Sequence, residues 1–205
     1  MRNYLLLLTL ISLSGCDFFQ SENPQNILLF QKMKADKIVS VEKELTKEIK
    51  FIKGKPSKFI CPKTTNCKEL TECLRTVRTA ENELPLITKY YFSKDSMVNF
   101  IHYEWSQTVP GLTVKERERR MSIETRRFPV YIAKLNTIAE KLQKEMGEPI
   151  SNDGEIKKNK TSLLDLYNYN MSFKKGDKYV DLKLIWSPKR GARFFKVWTK
   201  VYWIK

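Results

Sequence analysis

Lys178-Tyr179-Val180-Asp181-Leu182-Lys183-Leu184-Ile185-Trp186 is the stretch that decides the fold. Val180, Leu182, Leu184 and Trp186 alternate with Asp181 and Lys183. A period of two predicts a strand with one face in a core and the other in water. Lys175-Gly176-Asp177 before it and Ser187-Pro188-Lys189-Arg190-Gly191 after it have turn composition. Strands are therefore expected on both sides, over residues 164–174 and 192–204, as an antiparallel unit. Upstream, residues 86–92 and 97–106 flank Ser93-Lys94-Asp95-Ser96 and read as a second hairpin. In that hairpin Met97, Ile101, Tyr103 and Trp105 share one face, and Val98, Phe100, His102 and Glu104 the other. The two units can join into one sheet.

Helical spacing dominates elsewhere. Ile132, Leu135, Ile138, Ala139, Leu142 and Met146 recur at i, i+3, i+4, and Gly147 with Pro149 closes the run. The charged stretch from residue 113 to the break at Pro129 extends this helical region. Phe30, Met33, Ile38, Val41, Leu45 and Ile49 sit near a helical period across residues 27–52, stopped by Gly54 and Pro56. A short helix is expected over residues 67–77, with Asn66 as cap and Glu69 three residues on. Residues 57–61 suggest a short extended piece and 148–160 a polar loop. The expected fold class is α+β: an antiparallel sheet of about five strands packed against helices, with an N-terminal helix after a flexible tether.

The chain of 205 residues carries a formal charge of +15. Such a balance points first to nucleic acid. The first sixteen residues point elsewhere. Arg2 precedes an apolar run, Tyr4 to Leu13, that is too short to span a bilayer. It ends in Leu13-Ser14-Gly15-Cys16. This segment resembles the lipobox signal of bacterial lipoproteins. The resemblance implies cleavage before Cys16 and acylation of that cysteine, palmitate included. It divides the chain into a signal peptide (1–15), a lipidated tether (16–26) and a single α+β domain (27–205). It also places the domain on the periplasmic or cell-surface side of a bacterial envelope, where nucleic acid is scarce. The partners expected are then the membrane, through the lipid, and an anionic envelope component or acidic protein. No cofactor is expected.

An exported chain sits where disulfides persist. With Cys16 acylated, Cys61, Cys67 and Cys73 remain. In a helix Cys67 and Cys73 would be about 9 Å apart along the axis, beyond the roughly 7 Å Cα limit of a disulfide. Cys61 is then one partner. Pairing with Cys73 would leave Cys67 reactive at a helix N-terminus. Pairing with Cys67 would leave Cys73 as a buried apolar residue near Leu70, Leu74 and Val77. The Cys61–Cys67 bridge is the favoured expectation, and thiolate metal binding the lesser alternative.

The sequence offers little for catalysis. His102 is the only histidine, and no metalloprotease, nucleophile-elbow or phosphate-loop pattern occurs. Glu104, Glu116, Glu118 and Glu124 are available carboxylates without a pairing pattern. Two binding features stand out. Arg119, Arg120 and Arg127 can share a helix side as an anion site. Trp198 and Trp203, five apart in one strand, must point to opposite faces, so at least one is exposed, covered by another element or used in recognition. The expectation is a non-catalytic envelope protein that binds a partner. A periplasmic immunity protein against a secreted toxin is the alternative, and an envelope hydrolase the weakest.

Overall fold

The alternation in Lys178–Trp186 makes a strand, β8, in the computed structural model, which describes residues 23–57, 60–62, 67–70, 72–107, 113–160, 165–187 and 195–204. It is paired antiparallel with β7 (Asp165–Lys175) and β9 (Phe195–Trp203). Gly176, at φ +63°, supplies the left-handed residue that a tight turn between β7 and β8 needs. The second hairpin is β3 (Leu86–Phe92) and β4 (Val98–Ser106). The two units join directly, because β4 pairs with β9.

The rest departs from the α+β expectation. The sheet has nine antiparallel strands, not about five, in the order β1-β2-β3-β4-β9-β8-β7-β5, with β6 also on β7. β1 (Glu48–Lys53) and β2 (Glu72–Arg78) extend one edge. The short β5 (Ser151–Asn152) and β6 (Lys157–Lys160) lie along β7, where a polar loop was expected. Helices among the described residues are α1 (Ala35–Leu45), α2 (Val114–Arg126) and α3 (Phe128–Met146). The fold is β-rich.

The long N-terminal helix is absent. Residues 27–33 form neither helix nor strand, α1 takes only the middle of the predicted span, and β1 takes its end. Phe30, Ile38 and Ile49 all pack against the core, but from three different elements. The predicted helix over 67–77 is also wrong. Cys67–Glu69 is a single 3-10 turn, and the chain then enters β2. Leu74 and Thr76 are buried there in alternation, and Thr76 pairs with Thr88 of β3. Asn66, the turn over 188–191 and Cys16 lie outside the described residues.

One face of the sheet holds the main core. α3 crosses β7, β8 and β9 and buries Tyr131, Leu135, Ile138, Leu142 and Met146. The chain from Asn23 to Met33 is strapped over the same face. Gln25 O accepts from Trp105 Nε1 (3.0 Å), and Tyr103 OH donates to Leu29 O (3.1 Å) while accepting from Leu29 N (2.7 Å). Arg78 donates to Pro24 O (2.8 Å) and Ile27 O (2.6 Å) and forms a fully buried ion pair with Glu42 of α1. Tyr90 OH also donates to Glu42. Pro24–Asn26, expected within the tether, is one 3-10 turn held in this network.

Among the described residues, the opposite face is covered only at the end where β1 leads into β2. Cys61 and Cys67 form a disulfide, Cα to Cα 6.2 Å. Cys67 and nearby Leu70 pack onto Cys73, Tyr91, Phe100 and Tyr202. Cys73 is free and buried, as the favoured pairing requires, but it lies in a strand. Beyond that cover no other described residues lie over the face.

Candidate functional site

The register across β2, β3, β4, β9, β8 and β7 sets the open face in rows. One row reads Arg75, Lys89, His102, Lys200, Asp181 and Ser172. The next reads Val77, Ile87, Glu104, Trp198, Lys183 and Asn170. Lys196 and Lys200 flank Trp198 two residues away on β9, and Lys183 is directly opposite on β8. Three ammonium groups therefore converge on one indole. Their Nζ atoms lie 4.5 Å (Lys200), 5.6 Å (Lys196) and 5.9 Å (Lys183) from the ring centroid. Such contacts hold each cation by the ring quadrupole.

Two carboxylates offset part of this charge. Glu104 accepts from Lys196 (3.5 Å) and Ser106 Oγ (3.1 Å). Asp181 accepts from Ser172 Oγ (2.8 Å) and Tyr202 OH (3.1 Å). Burial lowers the Lys200 pKa and Lys183 lowers it further, while Asp181 acts to raise it. A cavity of about 360 Å³ opens here, and its lining includes Asn170, Ser172, Asp181, Lys183, Trp198 and Lys200.

His102 lies beneath this layer, 1% exposed, with its ring edge-on to Trp198 at 5.5 Å. Neither of its nitrogens has a hydrogen-bond partner among the described residues, and the same holds for Trp198 Nε1. Burial first, then the ammonium groups of Lys89, Lys200 and Lys196, hold the imidazole pKa well below its usual value. His102 is a neutral ring under a cationic surface. The arrangement can hold an anion, a carboxylate or phosphate, against an apolar ring.

Sequence-selected residues are distributed differently from the expectation. Trp198 and Trp203 do face opposite ways. Trp198 is on the open face, and Trp203 packs against the core with Lys32 5.6 Å from its ring. Arg119 is exposed on α2, and the side chain of Arg120 lies outside the described residues. Arg127 is half-buried between α2 and α3 and engaged by Glu124 at 3.0 Å. Tyr131 OH donates to the same Glu124, so Arg127 is committed to a helix junction. Glu116 closes a capping box with Thr113, and Glu118 is exposed. The cluster of Lys183, Lys196 and Lys200 was missed. Its signal is the period of two in Lys196-Val197-Trp198-Thr199-Lys200, which puts lysine, tryptophan and lysine on one face.

No protein family, no curated protein and no solved structure matches the chain.

Proposed function

We propose that the protein is a lipid-anchored envelope component that works by binding an anionic partner on the open face of its sheet, without catalysis. The observation that carries this reading is the convergence of Lys183, Lys196 and Lys200 on Trp198. Cations gathered on an otherwise open sheet face steer an oppositely charged partner and fix its register. The indole adds apolar area with few rotamers to freeze. The lipobox-like segment ending at Cys16 supports the compartment and the anchor.

The test uses the full chain in detergent or nanodiscs against purified acidic envelope polymers and acidic envelope proteins, at several salt concentrations. Trp198→Ala and the combined Lys183→Glu, Lys196→Glu, Lys200→Glu variant should each weaken binding at least tenfold. Wild-type affinity should fall as salt rises, because exposed charges are screened within about 8 Å at physiological ionic strength. Unchanged affinity in both variants would remove this face from the binding site. The anchor has its own assay: radioactive palmitate should label the wild type and not Cys16→Ser.

A further inference from the structure

The strap fixes where the chain enters the fold. Pro24, Gln25 and Asn26 are held by Arg78, Trp105 and Lys134, the last donating to Asn26 Oδ1 at 2.9 Å. Arg78 ends β2, Trp105 nearly ends β4, and Lys134 is in the second turn of α3. All three mark one end of the sheet. Seven Cα steps separate Cys16 from Asn23, at most about 25 Å when extended. A domain of this length is roughly 40 Å across. A lipid at Cys16 therefore keeps this end toward the bilayer, since the opposite end cannot be turned to it.

α2 stands at the same end, between β4 and the start of α3, to which it is joined through Glu124, Arg127 and Tyr131. At 100° per residue, Ser122, Lys115, Arg126, Arg119 and Ile123 follow one another within an arc of about 100°. All five are exposed, Ile123 at 49%. None of the helix's glutamates falls in that arc. Basic side chains beside a membrane anchor are drawn to acidic head groups, and Ile123 borders this stripe.

We propose that α2 is a second membrane contact, with Lys115, Arg119 and Arg126 on acidic phospholipid head groups and Ile123 at the interface. This rests on the reading of Cys16 as a lipid anchor and adds an orientation to it. The open face then stands side-on to the bilayer, with Trp198 near its membrane end, opposite Glu104 of β4. Each basic residue near an acidic surface strengthens attachment about fivefold, so the three together contribute roughly a hundredfold.

The experiment uses the lipidated full chain on vesicles of wholly zwitterionic phospholipid or of the same lipid with acidic phospholipid added. An environment-sensitive fluorophore is placed at Ser122→Cys or, as control, at Lys94→Cys in the β3–β4 turn at the far end. With acidic vesicles the probe at 122 should shift to the blue and be quenched by a lipid-borne quencher, while the probe at 94 stays unquenched. Lys115→Glu, Arg119→Glu and Arg126→Glu together should abolish that quenching while the protein still floats with the vesicles. Floating protein with no quenching at 122 would overturn the α2 contact and leave the anchor standing. Equal quenching on zwitterionic vesicles, or in the charge-reversed variant, would also overturn it. Protein that does not float would overturn the anchor and the contact together.

Discussion

His102 shows how much a single side chain here depends on its cross-strand neighbours. Lys89 and Lys200 pair with it from either side, and burial excludes water. Its folded pKa is lowered, so the unfolded chain binds a proton that the native chain refuses. Stability should therefore fall as pH drops through about 6.5, the unfolded value. The slope from this residue approaches, at most, about 1.4 kcal/mol per pH unit. Denaturant melts from pH 7.5 to 5.5 should show the loss in the wild type and a flatter profile in His102→Leu. Parallel profiles would mean that the ring is protonated in the fold. Cys73 makes a second prediction at this scale. Burial pushes its thiol up to about 11, against the opposing effect of Lys89. Thiolate is the reactive form, so alkylation at pH 8 should be negligible in the native protein and rapid in denaturant. Fast native labelling would refute the buried environment.

At the scale of elements, the strap and α1 depend on the Arg78–Glu42 pair. Removing one partner leaves a buried charge without compensation, which typically costs 3–5 kcal/mol. Arg78→Met should lose stability on that order and open residues 23–33 to proteolysis. Adding Glu42→Leu should recover most of the loss, because a buried pair replaced by apolar groups is often near neutral. A double variant as unstable as the single one would count against the pair as the cause. The same pair explains what could not be read from the sequence. β3, β4, β8, β9 and α3 were legible because their periodicity is local and unbroken. β2 was not, since its buried alternation runs through Leu74, Thr76 and Arg78, and nothing local reveals that an arginine is inside. Leu70, Leu74 and Val77 meanwhile mimic a helix. The disulfide pairing came out as favoured although its helical premise was false. The candidate site was half legible. β9 and its hairpin partner β8 place Lys183, Lys196 and Lys200 around Trp198. The position of His102 beneath them depends on β4 meeting β9, a pairing between segments roughly a hundred residues apart.

At the scale of the molecule, β9 is, among the described residues, the only strand that joins two halves of the sheet. β1 to β4 form one meander, β5 to β8 the other, and β9 lies between β4 and β8. Amides of β4, β8 and β9 should therefore exchange together, in the globally open state alone. Val201→Pro, which removes a ladder donor from a central strand, should unfold the whole sheet instead of fraying one end. Hydrogen exchange that protects β1 to β4 in this variant would show the halves to be independent. The consequence reaches into biogenesis. Synthesis from the N-terminus delivers Phe195–Trp203 after every other described strand of the sheet. Until then β4 and β8 each present a bare edge, the kind that recruits other chains. The sheet cannot close before this strand has emerged, and the chain stays open until then. Any stall before residue 195 leaves a nascent species with two sticky borders.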